Sequence, residues 1–239
     1  MRSTVAGMDI VLIAGLWLPA SVWDATAAHL ERRGHRVTAL ELPGVDDGSR
    51  DASLDDQAAI VFAAVDAADG PVVVGHSAAA SLAWLAADRR PDAVSGVVMI
   101  GGFPAASGSS YAAFFEIVDG VMAFPGWEPF EGADAADLDA STRQQLAAGA
   151  VPVPGPVADG RVVYGDDRRF SVPVTVVCPE FTPDDFRGWL AAGDIPELDR
   201  VERLDLVDID SGHWPMVTRA GELADLIHAA ATLDDGASS

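Results

Sequence analysis

The sequence predicts an α/β protein with a mostly parallel sheet flanked by helices, and three observations carry that reading. Short β-branched runs alternate with alanine-rich helical stretches along most of the chain. The runs "IVLIA", "VVV" and "VVMI" are continuously apolar, as strands buried on both faces are. A length of 239 residues, 49% of them hydrophobic, supplies a core of the size one such domain needs.

Ile10 to Ala14 is the first strand. A helix follows from Trp23 to Gly34, ended by its glycine, and then a strand from Arg36 to Leu40. Ser53 is placed to cap a helix over Leu54 to Ala68. Val72 to Val74 is the next strand, Ala78 to Arg89 the next helix and Val97 to Ile100 another strand. From Pro104 to Phe170 the alternation stops. This region holds an aromatic helical piece, "YAAFFEIVDGVMAF", a Pro/Gly/Trp stretch, "PGWEPFEG", a second helix near Leu138 to Ala148 and a proline-rich link, "VPVPGP". The regular pattern returns with a strand at Val174 to Cys178, a helix near Asp184 to Ala192, a strand at Leu204 to Ile209 and a last helix from Ala220 to Ala231. Residues 1–103 and 171–231 are therefore assigned to the core, 104–170 to a small helical cap insertion and 232–239 to a flexible tail. The insertion has too few residues and too few strand signals to fold by itself, so it is expected to lie over one edge of the sheet.

The formal charge is −22 and every one of the fifteen basic residues is arginine. So acidic a surface repels phosphate backbones and anionic bilayers, which argues against nucleic acid and membranes as partners. Cys178 is the sole cysteine, so neither an intramolecular disulfide nor a Cys-rich metal cluster is expected. The apolar run Ile10 to Leu18 is far shorter than the roughly 20 residues of a membrane span, and it reads as a strand and loop rather than a signal peptide. A cytoplasmic protein is expected, with no metal or cofactor implied; a homodimer stays open.

The chemistry concentrates in "VVVGHSAAASL", where three valines pass through Gly75, His76 and Ser77 directly into a helix. A serine on a sharp strand-to-helix turn holds its hydroxyl out from the sheet edge, with a following backbone N–H and a helix N-terminus beside it. Small residues must flank it two places on either side, and here they are Gly75 and Ala79, the second an alanine where glycine is usual. Such a serine needs a base. Of the five histidines, His29 and His228 read as helix-surface residues, His35 as a turn residue, and His76 as packing beneath the serine. His213, in "SGHWP" after the strand at Leu204 to Ile209, falls at the same sheet edge as Ser77. An oxyanion hole requires two N–H donors. Ala78 would supply one and Leu16 the other, with Gly15 permitting the turn after the first strand.

The segments "IAGLWLPASVWD", "LELPG", "GHSAAASLA", "PVTVVCPEF" and "SGHWPM" resemble α/β-hydrolases in order and spacing over nearly the whole chain. The chain is most similar to the small branch of plant methyl esterases, hydroxynitrile lyases and short bacterial esterase-like relatives. The resemblance implies the α/β-hydrolase fold, with Ser77 as nucleophile, His213 as base, and Leu16 and Ala78 as oxyanion donors. It also implies an acid after the strand at Val174 to Cys178. There "CPEFTPDDF" has Phe181 or Thr182 where the family carries aspartate. Glu180, one place off but with a longer arm, is the preferred partner of His213. An exposed loop glutamate at 180, a role for Asp184, and a Ser–His dyad with no acid all stay open.

The expected function is a serine hydrolase that cleaves a small carboxylic ester through an acyl-enzyme. Trp17, Phe115, Trp127 and Trp214 are expected to line an apolar pocket, with Phe114, Met122 and Phe124 as further candidates. Two alternatives keep the same site: cofactor-free lyase chemistry, in which Ser77 and His213 act only as acid–base groups, and non-catalytic small-molecule binding. The resemblance to lyases that use a lysine near the site is weakened here, because the chain has no lysine.

Overall fold

The computed structural model describes residues 7–232. In the core the chain runs β1 (Asp9–Ile13), α1 (Asp24–Glu31), β2 (Arg36–Ala39), α2 (Leu54–Ala67), β3 (Val72–His76), α3 (Ala80–Arg89) and β4 (Gly96–Ile100). An insert follows with β5 (Val121–Met122), α4 (Ala140–Gly149), β6 (Val153–Pro154) and α5 (Gly155–Ala158). The core resumes as β7 (Val174–Cys178), α6 (Pro183–Ala192), β8 (Leu204–Asp208), α7 (Pro215–Thr218) and α8 (Ala220–Thr232).

Six strands form one sheet in the order β2-β1-β3-β4-β7-β8, and every pairing in it is parallel. The four inner strands are buried along their whole length, whereas the edge strands β2 and β8 are partly exposed. The continuous apolar runs therefore sit where both faces are covered. Alternate side chains divide between two cores: Val11 and Ile13 pack with α2 and α3, and Ile10 and Leu12 with α1 and α8. The direction of strand order reverses between β1 and β3. In an open α/β sheet the carboxyl ends of two such strands flank the ligand crevice.

Helix starts follow local chemistry. Ser53 and Asp56 form a capping box at α2, as the serine predicts, and Thr182 with Asp185 forms another at α6. The expected helix from Trp23 to Gly34 is shorter, beginning with a 3₁₀ turn over Ala20–Trp23. The helical reading of "YAAFFEIVDGVMAF" is wrong. Asp119 and Gly120 both take positive φ, 51° and 81°, while Val118 and Val121 exchange backbone hydrogen bonds of 2.9 and 3.1 Å. This is a tight Asp-Gly hairpin turn, whose twist suits strands rather than helix. Val121 and Met122 then pair antiparallel with Pro154 and Val153. The expected second helix appears as α4. Thr232, the first residue of the expected tail at 232–239, ends α8, and residues 233–239 lie outside the described residues, as do residues 1–6. Among the described residues no helix is long and apolar enough to cross a membrane.

Candidate active site

β3 ends at His76, and the next residue turns sharply. Ser77 has φ of 55°, one of three positive values among the described non-glycine residues. A serine there is held in a strained conformation that the turn overdetermines. Gly75 is required by close approach, since a Cβ on it would fall inside van der Waals contact with the Ala79 carbonyl across the turn. Ala79 itself is fully buried, so the alanine fits where glycine is usual.

Three further loops meet Ser77 at the carboxyl edge of the sheet. After β4, Gly101 and Gly102 form a floor. A Cβ on Gly102 would lie 2.6 Å from the Ser77 carbonyl oxygen, and one on Gly101 (φ 59°) would lie 3.1 Å from His213 Nδ1. The expected site does not include this pair, although "IGGFP" directly after a buried strand signals close backbone approach. After β8, His213 enters the same cavity as Ser77. After β7, Glu180 brings Oε1 to 2.7 Å from His213 Nδ1, and each of the two side chains is only 13% exposed.

The other carboxylates near Glu180 are committed elsewhere. Asp185 accepts from the Thr182 N–H and hydroxyl at the start of α6, and Asp184 pairs with Arg187 on the surface. Cys178 is buried, and burial pushes its thiol up to about 12, so it offers no competing thiolate.

His76 packs beneath the turn, as its sequence position suggests. It is almost wholly buried, and its Nε2–H donates to the His213 carbonyl at 2.8 Å. That bond places the proton on Nε2, leaving Nδ1 facing Gly15. Gly15 opens the turn after β1, its carbonyl accepting from the Leu18 N–H at 3.4 Å. It does not take the positive φ of the loop after β1; Trp17 does, at 64°. Gly15 is needed because a Cβ on it would lie 2.6 Å from His76 Nδ1.

The insert is fastened to both halves of this machinery. Trp17 Nε1–H donates to the Met122 carbonyl at 3.1 Å, and the Trp17 carbonyl accepts from the Val151 N–H at 2.9 Å. On the other side, the His213 N–H donates to the Asp134 carbonyl at 2.7 Å, and the Thr218 hydroxyl donates to Asp137. Burial, with the neighbouring charge of Glu180, holds the Asp134 carboxyl above its usual range.

The cavity at Ser77 measures about 60 Å³ and is lined by Leu16, Trp17, His76, Phe114, Phe115, Phe130, His213 and Trp214. Of the expected pocket residues, Trp17, Phe115 and Trp214 line this cavity. Trp127 does not reach this cavity; with Phe124 it lines the void behind it, edge-on to Trp214 at 5.4 Å. Met122 is fully buried in β5. Phe130, which packs 6.1 Å from Trp17 and 5.6 Å from Trp214, was not foreseen. No spacing in "GWEPFEG" shows which ring faces inward. Among the described residues no group of three or more His, Cys, Asp or Glu side chains is arranged to hold a metal ion.

A parallel sheet with a strained serine after its third strand and a paired histidine after its last defines a recognisable class, and sequence comparison agrees. Residues 10–226 match the model of the alpha/beta hydrolase family, and the chain belongs to that family. No curated protein sequence matches it. Among solved structures it is similar to an extracellular alpha/beta-hydrolase from a Paenibacillus species, described as sharing structural and functional homology with tobacco salicylic acid binding protein 2. The TM-score is 0.75 at 19% identity, covering 93% of this chain and 98% of that one. A methylesterase from Arabidopsis gives a TM-score of 0.73 at 16% identity, with 94% and 99% covered. A pyrethroid hydrolase from Sphingobium faniae gives 0.68 at 20% identity, with 96% and 100% covered. At these identities the likeness is one of fold.

Proposed function

We propose that this chain is a serine hydrolase that cleaves a small-molecule carboxylic ester through an acyl-enzyme on Ser77. The observation that carries the reading is the His213–Glu180 pair at 2.7 Å, opening on the same cavity as a serine at φ 55°. His213 Nε2 takes the Ser77 proton as Oγ attacks the ester carbonyl carbon, and the N–H groups of Leu16 and Ala78 hold the oxyanion. Glu180 accepts from Nδ1–H, fixing the tautomer and stabilising the imidazolium as it forms. The carbon–oxygen bond to the alcohol then breaks, and His213 returns the proton to the leaving oxygen. Water attacks the acyl-enzyme by the same proton route and releases the acid. The insert acts as a cap that excludes bulk water from the site.

Lyase chemistry would use the same Ser77 and His213, and the carboxylate on His213 serves either reaction; the absence of lysine from the chain weighs towards hydrolysis. The esterase character of several fold neighbours supports hydrolysis without settling the substrate. Intact-mass analysis after treatment with a fluorophosphonate tests the proposal. One adduct on the parent protein and none on Ser77→Ala is the expected result. A folded parent that takes up no adduct overturns it.

A further inference from the structure

Three cavities stand in a row behind Ser77. The one at the serine, about 60 Å³, has room for about two water molecules. Leu16, Trp17 and Trp214 line it and also line a void of about 20 Å³ on their far side. Leu18 and Leu146 line that void and also a third cavity of about 220 Å³. The rim of the third includes the exposed Ser21, Gln145 and Gly149, so it opens to solvent.

We propose that these are compartments of one substrate channel, and that the ester carries a long uncharged apolar arm running from Ser77 beneath α4 to the outer groove. This deepens the hydrolase reading and rests on Ser77 being its nucleophile. The inner cavity by itself accepts only a short group, and its wall of Leu16, Trp17 and Trp214 is shared with the space beyond it. Leu18 and Leu146 line both of the outer cavities, and a leucine clears a passage by changing rotamer. The wall that carries Leu146 is itself loosely seated. α4 contributes no buried residue, and Arg143 ties it to the Ala135 and Leu138 carbonyls and to Glu131. An element that buries so little opens at low cost. No aspartate, glutamate, lysine or arginine lines any of the three cavities, which excludes an ionic arm.

The test compares alkyl fluorophosphonates with ethyl and decyl arms, following the rate of the Ser77 adduct by intact mass on the full chain. Leu146→Trp fills the passage and Leu146→Ala widens it. The decyl-to-ethyl rate ratio is expected to fall about tenfold or more in L146W and to hold or rise in L146A. An unchanged ratio in L146W, or an equal fall in both variants, overturns the channel while leaving the hydrolase reading intact. Failure of both probes to label the parent overturns the nucleophile reading, and the channel with it.

Discussion

Glu180 Oε1 lies 2.7 Å from His213 Nδ1, joining the loop after β7 to the loop after β8. Because Asp184 and Asp185 are tied to α6, neither can replace it. Glu180→Gln is expected to lower kcat by about 10²- to 10⁴-fold with KM little changed, since the amide no longer holds the productive tautomer. Glu180→Asp keeps the charge but shortens the arm, and should recover only part of the loss. Steady-state hydrolysis of an activated ester checks both. Full kcat in E180Q would leave His213 and Ser77 working as a dyad.

Gly102 touches the backbone of the proposed nucleophile. A Cβ there would lie 2.6 Å from the Ser77 carbonyl oxygen and 2.9 Å from its Cα, so the turn must shift. Gly102→Ala is expected to slow fluorophosphonate labelling by about 10²-fold through misplacement of the serine. Far-UV circular dichroism should stay at the parent's level. Labelling at the parent rate would mean that the turn absorbs the methyl group without moving Oγ.

His76 links stability to pH. Burial, reinforced by the neighbouring His213, lowers its imidazole from the ordinary 6.5 to about 3. Below pH 6.5 the unfolded chain therefore binds a proton that the folded chain refuses, and stability falls as pH falls. From pH 6.5 to 5.0 this one group is expected to account for about 2 kcal/mol. Urea unfolding of the parent and His76→Gln at the two pH values reads it as a smaller acid loss in the variant. Equal losses would show that His76 is protonated in the native state.

Trp17 ties the loop that holds the proposed oxyanion donor to the insert through its bond to the Met122 carbonyl. Trp17→Phe keeps an aromatic ring among Phe115, Phe124 and Phe130 but removes the indole N–H that reaches that carbonyl. A loss of about 1–3 kcal/mol is expected, measured by urea unfolding. A loss near zero would mean that water replaces the indole.

Much of this protein is legible along the chain. The sheet is announced by "IVLIA", "VVV" and "VVMI", because a strand covered on both faces must be apolar throughout. The turn at Ser77 is announced because so sharp a strand-to-helix turn demands small neighbours at fixed places. The insert is less legible. Its Asp119-Gly120 hairpin carried a signal that the surrounding aromatic run outweighed, and Phe130 carried none.

By itself the sequence determined the α/β class, the turn at Ser77 and the presence of His213 at the same sheet edge. Each follows from local periodicity or from residues a few places apart. Only the tertiary structure decided that Glu180 rather than Asp184 faces His213, that Gly15 yields to His76 while Trp17 takes the turn, and that Trp127 stands behind Trp214. Those outcomes depend on loops after different strands converging on one edge. Which side chain wins there is set by reach and by competing hydrogen bonds, and neither is written in the spacing of residues along the chain.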